Sequence, residues 1–190
     1  MRADARENRR KILFAAEYVF EREGMDAPLD AIVAKAGVAR ATFFRHFPDR
    51  QQLLAAILAR TIEDLRDEID RIDAPAARLV RMMEVIAEGL GARPALSAYW
   101  RGWSITHPAL QAAYEGVEAM FAETIEPAKA AGLCRWDLTA SDMMMFSQMI
   151  GAAVRTAPPE HRTGIARRAA RLLLEGYAAR NEVLLPERGD

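Results

Sequence analysis

The sequence predicts an all-α protein of about nine helices. Alanine, the strongest helix former, occurs 37 times among the 190 residues, whereas valine, isoleucine and threonine, which favour strands, together number 26. Apolar residues recur three or four positions apart along most of the chain, and no segment sustains an alternation of apolar and polar residues. Both observations favour helices that pack through one apolar face.

The first four helices are predicted from apolar stripes that lie before residue 73. Their spacing matches one face of a helix, and the last stripe is the longest. The stripes consist of Ile12, Ala16, Val19 and Phe20, then Leu29, Ile32, Val33 and Ala36, then Val38, Phe43 and Phe47, and finally Leu53, Leu54, Ile57, Leu58, Ile62, Leu65 and Ile69.

Five further helices are predicted from punctuating residues and from stripes of the same kind. Proline is tolerated in the first turn of a helix, so Pro94 and Pro108 each begin one. Glycine commonly follows a helix, and Gly91 and Gly132 end two of the stripes. Thr139 begins another helix, because Thr-Ala-Ser-Asp is a capping pattern.

Residues 29–47 predict two short helices joined by a tight turn at Gly37. Glycine tolerates the positive φ that such a turn requires. Phe43 and Phe47 lie four residues apart and therefore share the inner face of the second helix. The residues between them largely face outward.

This outward surface has side chains that suit the major groove of DNA. Arginine binds guanine edges through two hydrogen bonds, and threonine reaches a phosphate or a base. Basic residues on the flanking helices would contact the phosphate backbone on either side. On spacing alone, a solvated basic helix hairpin explains the segment equally well. The candidate DNA-contacting residues are Lys35, Arg40, Ala41, Thr42, Phe44, Arg45, His46 and Arg50.

Two segments resemble the DNA-binding signature of the TetR/AcrR family of transcriptional regulators. Residues 36–54, AGVARATFFRHFPDRQQLL, resemble the helix-turn-helix of that family, and residues 9–24, RRKILFAAEYVFEREG, resemble its first helix. The similarity covers about residues 8–58. The resemblance implies a DNA-binding domain at residues 1–50 and an effector-binding and dimerisation domain at residues 51–190, connected by a helix over residues 49–72.

The resemblance also implies a role for individual residues of the recognition helix. Residues 40–42 match the positions that contact bases, whereas Phe44 and His46 match positions on the phosphate backbone. Arg50 matches a basic residue that contacts a phosphate. Phe44 departs from the tyrosine usual in the family, which removes one hydroxyl donor, and Pro28 departs from the usual serine or threonine cap.

The distribution of charge agrees with a DNA-binding N-terminus. The chain has 26 basic and 27 acidic residues, a net charge of −1 that by itself argues against a nucleic-acid partner. Residues 1–50, however, contain ten basic and eight acidic side chains, against sixteen and nineteen in the remainder. The basic excess therefore coincides with the predicted DNA-binding segment.

Several classes of protein are excluded by what the sequence contains. The single cysteine, Cys134, cannot form an intramolecular disulfide, and the three histidines are scattered outside any catalytic motif. We therefore predict that the protein is not an enzyme and needs no metal or other cofactor. The longest apolar stretch, residues 143–154, is too short to span a bilayer, which takes about 20 residues. We expect a soluble cytoplasmic protein without a membrane partner.

The last two helices predict a homodimer. Residues 143–154 are apolar on nearly every side, so a helix there must be covered on opposite faces. Reading a palindromic DNA operator requires a two-fold axis, and two helices from each subunit would form a four-helix interface. The candidate interface residues are Leu172, Leu173, Gly176 and Tyr177, with the glycine allowing close approach.

Methionine and aromatic residues of the C-terminal half predict a site for a flexible, mostly apolar or aromatic small molecule. The same residues at helical spacing also suit an ordinary core. His107 either donates a hydrogen bond to the ligand or caps the helix that begins at Pro108. The candidate ligand-binding residues are Met83, Ile86, Leu90, Trp100, Trp103, His107, Tyr114, Phe121, Met145 and Met149.

Together these features predict a dimeric transcriptional regulator, a repressor that a small-molecule effector releases from a palindromic operator. The family resemblance implies that the effector changes the spacing of the recognition helices through the helix over residues 49–72. Two alternatives remain. One is a dimeric DNA-binding regulator without an effector, and the other is a helical binding protein with an inactive DNA-binding unit.

Overall fold

A computed structural model describes residues 2–102 and 108–177. This part of the chain contains nine α-helices and two short 3-10 turns, Pro75–Ala77 and Pro159–His161, and it contains no strand, so the all-α prediction is confirmed. None of the helices described is long and apolar enough to cross a membrane. The helices are α1 (Arg2–Glu23), α2 (Leu29–Ala36), α3 (Arg40–His46), α4 (Arg50–Asp70), α5 (Arg78–Ala92), α6 (Pro94–Gly102), α7 (Pro108–Ala130), α8 (Ala140–Arg155) and α9 (Arg162–Tyr177).

Most helix ends are where the punctuating residues predict them, but Gly91, expected to end a helix, lies within α5. Pro94 and Pro108 are the first residues of α6 and α7. Before α8, the Thr139 side chain accepts a hydrogen bond from the backbone N–H of Asp142 at 3.2 Å, and the Asp142 carboxylate accepts one from the N–H of Thr139 at 2.8 Å. This reciprocal capping box satisfies two N–H groups that the helix itself leaves free. Gly132, with a φ of 68°, ends α7 in the left-handed region.

Two apolar cores meet along α4. The N-terminal core is formed by α1, α2 and α3 together with the first turns of α4, and it also includes Leu96 of α6. The C-terminal core is formed by α5, α7, α8 and α9 together with the last turns of α4. Leu53 and Ile57 belong to the first core, and Leu65 and Ile69 to the second. Helix α4 therefore packs into both halves of the molecule.

Gly91 of α5 lies in close contact with the first turn of α9. A Cβ atom on Gly91 would lie 2.9 Å from the Cα of Thr163 and 3.4 Å from the Cβ of Ala166. A glycine is required there because the neighbouring backbone leaves no room for a side chain. Gly176, which the sequence predicts for a close approach between two subunits, has no heavy atom of the described chain within 4 Å of its Cβ position, and its predicted role stays a prediction.

Helix α1 is linked to the start of α6 by two carboxylates. The Glu21 side chain accepts hydrogen bonds from the backbone N–H groups of Ala95 at 3.1 Å and Leu96 at 2.9 Å. Burial raises the pKa of Glu21 above its ordinary value, and the two N–H donors oppose that shift. Glu17 accepts a hydrogen bond from Arg60 of α4, and its second oxygen lies 3.6 Å from a guanidinium nitrogen of Arg93. The N-terminal helices thus make polar contacts with the α5–α6 junction.

Candidate nucleic-acid interface and ligand cavity

The turn between α2 and α3 has the geometry of a helix-turn-helix. Gly37 has φ 64° and ψ 32°, and its N–H donates to the carbonyl oxygen of Ala34 at 3.3 Å. Phe43 and Phe47 are buried, with ring centroids 6.3 Å apart, which anchors α3 on the N-terminal core. The inward orientation expected for both phenylalanines is therefore confirmed.

The opposite face of α3 presents polar and basic side chains to solvent. Arg40, Ala41 and Arg45 are exposed, and three further predicted DNA contacts are half-buried, namely Thr42, Phe44 and His46. The Phe44 ring packs edge-on against the buried Phe43 ring, with centroids 5.2 Å apart. This contact holds the ring of Phe44 in place at the surface.

Arg40 is held in position by the preceding helix. Its guanidinium donates a hydrogen bond to the carboxylate of Asp30 on α2 and lies 5.1 Å from the centre of the Phe44 ring. The hydrogen bond from Arg40 lowers the pKa of Asp30. Ten residues separate the two, so the sequence pattern did not reveal this contact. Asp30 orients the guanidinium of Arg40. Because an exposed ion pair contributes little to stability, Arg40 can exchange Asp30 for another partner at little cost in free energy.

A cluster of cations surrounds His46 at the end of α3. Burial, followed by the charges of Arg45 and Arg9, lowers the pKa of His46 below its ordinary value of 6.5. Arg9 of α1 lies over the Phe47 ring, 4.8 Å from its centre. The set of predicted DNA contacts did not include Arg9. The basic run at residues 9–11 was the available signal, but only the packing of α1 places Arg9 beside α3.

Lys35 is exposed near the end of α2. Its ammonium group lies 3.8 Å from the centre of the Tyr18 ring, a cation–π contact with α1 that the sequence did not predict. The amine thus approaches the surface of α1 and lies on a different helix from the exposed residues of α3. Its predicted contact with the DNA backbone stays a prediction.

Arg50 has partners within the protein. Its guanidinium donates hydrogen bonds to the carbonyl oxygens of Met25 and Ala27, the latter at 2.5 Å, and lies 5.5 Å from the centre of the Phe20 ring. Arg50 is half-buried and closes the loop between α1 and α2. Its side chain turns back toward α1 and holds the loop. The phosphate contact that the sequence assigns to Arg50 stays a prediction.

A cavity of about 480 Å³ lies in the C-terminal half of the protein. Its wall is built mainly by α4, α5, α7 and α8, with Ser97 contributed by α6. Aliphatic side chains line most of it, and charged side chains are also present. The described lining residues are Leu58, Thr61, Ile62, Asp64, Leu65, Glu68, Arg81, Val85, Ile86, Glu88, Gly89, Leu90, Arg93, Ser97, Ala113, Tyr114, Val117, Met144, Ser147 and Gln148.

Three of the ten predicted ligand-binding residues line this cavity: Ile86, Leu90 and Tyr114. Four others lie elsewhere. Met83 and Phe121 are fully buried in the C-terminal core, and Met145 and Met149 are about half exposed on α8. Trp103 and His107, like the side chain of Trp100, lie outside the described residues.

The sequence placed candidate residues on α5, α7 and α8, which line the cavity, but none on α4, which also lines it, and it did not identify the faces that line it. On α8, for example, the cavity is lined by Met144, Ser147 and Gln148. Neighbouring residues of a helix differ by about 100° in direction, so Met145 and Met149 point away. A methionine-rich helix does not reveal which of its methionines face a cavity.

The predicted dimer residues of α9 differ in exposure. Leu172 is 54% exposed, Leu173 is half-buried against the C-terminal core, and Gly176 is exposed. The side chain of Tyr177 lies outside the described residues. Helix α9 packs against α8, which carries the half-exposed Met145 and Met149. Large apolar side chains are therefore exposed on both of the last two helices.

The fold and the helix-turn-helix define a class: helical proteins with an N-terminal DNA-binding motif. Residues 12–57 match the family model described as bacterial regulatory proteins, tetR family. The N-terminal domain belongs to the TetR family, and the recognition of a TetR-family regulator from its sequence is confirmed.

A similar protein supports this assignment. The HTH-type transcriptional regulator TtgW of Pseudomonas putida is 45% identical over 58 residues, which are 30% of this chain and 43% of TtgW. The similarity thus spans less than half the length of that relative. The family and this relative are transcriptional regulators and not enzymes, in agreement with the prediction from the sequence.

Two solved structures match nearly the whole chain. The TetR transcription regulatory protein from Mycobacterium vanbaalenii has a TM-score of 0.69 at 24% identity and covers 94% of this chain and 99% of its own. The TetR transcriptional regulator SCO0520 from Streptomyces coelicolor has a TM-score of 0.65 at 27% identity, with coverages of 90% and 98%. The fold beyond the N-terminal domain is therefore also that of TetR regulators.

Proposed function

We propose that this protein is a homodimeric, sequence-specific DNA-binding repressor that leaves a palindromic operator when a small, mostly apolar effector occupies its C-terminal cavity. The observation that carries the proposal is the face of α3. Arg40, Ala41 and Arg45 project from a helix that Phe43 and Phe47 anchor on the core. A rigid helix with basic and small residues on its outer face suits the major groove.

Two features of the C-terminal half support the dimeric and effector-responsive parts of the proposal. Met145, Met149 and Leu172 expose apolar surface on α8 and α9, and a second copy of the chain would cover it. The cavity has a volume within the usual range of small-molecule sites, about 300–1,000 Å³. A regulator without an effector would need no such space, so the cavity favours the effector-responsive alternative. Binding to genomic DNA requires a cytoplasmic location.

Helix α4 connects the cavity to the DNA-binding helices, because it contacts both. Leu58, Ile62 and Leu65 of α4 line the cavity, and Leu53 and Leu54 of the same helix pack into the core that holds α3. An effector that favours one position of α4 changes the spacing of the two recognition helices. The loss of DNA-binding free energy is then at most the difference between the free energies with which the effector binds the two conformations.

The proposal is tested by mapping the genomic binding sites and measuring operator affinity by fluorescence anisotropy. Replacing Arg40 with alanine is expected to weaken operator binding about tenfold to a hundredfold, with little change on random DNA, because a bidentate contact to guanine carries sequence information. The control is Arg71→Ala. Arg71 is similarly exposed (70%, against 64% for Arg40) but lies after α4, so its loss is expected to leave affinity unchanged. An equal loss on operator and random DNA would contradict the base-reading role.

A further inference from the structure

The side chain of Ser97 lies in the cavity wall, and its hydroxyl group forms no hydrogen bond within the described part of the chain. Ser97 is only 8% exposed and lines the cavity, yet its hydroxyl forms no hydrogen bond with a described residue. The hydroxyl groups of Thr61 and Ser147 in the same wall donate to carbonyl oxygens one turn earlier in their own helices, at 3.0 and 2.9 Å. The Ser97 hydroxyl is not among the fully buried polar atoms that lack a partner, so it is accessible from the cavity and available to a polar group of a ligand.

Arg93 lies one helical turn before Ser97 and also lines the cavity. The backbone N–H of Ser97 donates to the carbonyl oxygen of Arg93 at 3.0 Å, which keeps the two residues together at the start of α6. The Arg93 guanidinium pairs with Glu17 at 3.6 Å, a distance too long for a hydrogen bond. Among the described residues, the Arg93 side chain therefore forms an ion pair but no hydrogen bond.

The other arginine in the wall is already bound. Arg81 donates hydrogen bonds to Glu68 at 2.9 Å and to Glu84 at 3.3 Å. Its charge and two of its five N–H donors are therefore used within the protein. Of the two arginines in the described lining, Arg93 is the one whose guanidinium group forms no hydrogen bond with a described residue.

The three carboxylates in the wall have basic partners of their own. Glu68 pairs with Arg81, Glu88 accepts a hydrogen bond from Arg167 at 3.2 Å, and Asp64, which is mostly exposed, lies 3.9 Å from Arg60. Their charges are therefore compensated within the protein. The acidic residues of the lining therefore give no evidence for a cationic ligand. Most of the remaining surface is aliphatic.

We propose that the cavity binds a monocarboxylate with an apolar body, and that Arg93 and Ser97 hold its carboxylate group. This inference rests on the proposed function, in which the cavity is the effector site. An arginine fork binds a carboxylate through two parallel hydrogen bonds, and the serine hydroxyl supplies a third donor. The aliphatic wall formed by Leu58, Ile86 and Leu90 covers the body of the molecule.

The position of Arg93 also connects the carboxylate to the DNA-binding half. Arg93 faces Glu17 of α1, and a ligand carboxylate competes with Glu17 for the same guanidinium. When the ligand binds, α1 loses one of its two cationic partners and retains Arg60. Occupancy of the cavity is thereby communicated to the helix on which α2 and α3 pack.

The test is isothermal titration calorimetry of the full chain with two acids and the corresponding alcohols: decanoate with decanol, and naphthylacetate with naphthylethanol. In the wild type, at least one acid is expected to bind about tenfold more tightly than its alcohol, because a charge-assisted bidentate contact distinguishes the two. In Arg93→Gln this ratio falls to about one, and Arg93→Lys retains part of it. Ser97→Ala lowers the ratio by a smaller factor.

The matched control is Arg81→Gln, which removes a cation of the same wall that Glu68 and Glu84 already bind, and it is expected to keep the acid preference. Thermal unfolding of each variant confirms that it folds. Alcohols that bind as tightly as the acids and release the operator would overturn the carboxylate site and leave the proposed function standing. An acid preference that survives in Arg93→Gln would overturn the role of Arg93. Binding of none of the four compounds would overturn the carboxylate site, and operator binding measured separately would show whether the DNA-binding function stands.

Discussion

At the scale of single residues, the predicted DNA-binding surface is organised by contacts that form in the absence of DNA. Asp30 hydrogen-bonds Arg40, and Arg9 of α1 lies over the Phe47 ring beside α3. Each contact orients a long or titratable side chain before binding. A side chain that is already oriented loses less conformational entropy when it binds. The surface is therefore more than a collection of basic residues, since its acidic and aromatic neighbours determine where the cations point.

His46 predicts a pH dependence of DNA binding. In the free protein, burial and the charges of Arg45 and Arg9 hold its pKa below 6.5, so the imidazole is neutral at pH 7. A nearby phosphate favours the imidazolium, so the pKa rises on binding and a proton is taken up. Operator affinity is therefore expected to increase as the pH falls from 8 to 6, by at most about one logarithmic unit per pH unit for one proton.

The measurement is operator affinity by fluorescence anisotropy at several pH values, with His46→Gln as the comparison. The variant is expected to lose this part of the pH dependence. An identical pH profile in both proteins would exclude a phosphate contact by His46. The depressed pKa also means that the folded protein loses stability as the pH falls below 6.5, so thermal unfolding is recorded at each pH.

At the scale of helices, α5 and α9 depend on one glycine for their contact. A Cβ on Gly91 would lie 2.9 Å from a backbone atom of α9, and a backbone atom cannot move aside as a flexible side chain can. We expect Gly91→Ala to lower the free energy of unfolding by about 1–3 kcal/mol, because the strain exceeds the gain in helix propensity. Denaturant unfolding measures this change.

Gly164→Ala in α9 is the matched control. No heavy atom of a described neighbour lies within 4 Å of its Cβ position, and its φ is not in the left-handed region. The alanine is therefore expected to raise the free energy of unfolding, by at most about 1 kcal/mol, through helix propensity alone. If the two substitutions change the free energy of unfolding in opposite directions, close packing, and not the loss of a glycine as such, explains the effect at Gly91. A Gly91→Ala protein as stable as the wild type would show that α9 shifts without cost.

At the scale of the whole molecule, a second copy of the chain is expected to cover the exposed apolar side chains of α8 and α9. Replacing Leu172 with glutamate places a charge in that interface, and we expect the dimer to weaken by roughly tenfold or more, because a buried carboxylate without a partner is costly. Sedimentation velocity at micromolar concentration measures the change. Operator affinity is expected to fall with it, since two half-sites are then no longer bound together.

Leu133→Glu is the control for this substitution. Leu133 is 49% exposed, close to the 54% of Leu172, but it lies in the connection between α7 and α8. Its replacement is expected to leave the dimer unchanged. Equal weakening by both substitutions would indicate a general loss of stability, and a Leu172→Glu protein that remains dimeric would remove α9 from the interface.

The sequence by itself determined the class of fold, the order of the helices and the DNA-binding motif. These depend on local chemistry, which a linear pattern records. Proline begins α6 and α7, a capping box begins α8, Gly37 adopts positive φ in the turn, and Phe43 and Phe47 are both buried. The family signature over residues 8–58 depends on the same local pattern.

Only the tertiary structure decided which faces of the later helices meet a cavity, a core or solvent. Met83, Phe121, Met145 and Met149 carry the side chains expected of a ligand site, but the packing of α5, α7 and α8 turns them into the core or outward. Arg93 and Ser97 have no distinctive sequence signal, and their unused donors are evident only once the helices are packed. The physical reason is that a period of 3.6 residues defines the faces of a helix, whereas the neighbour that each face meets depends on contacts between residues far apart in the chain.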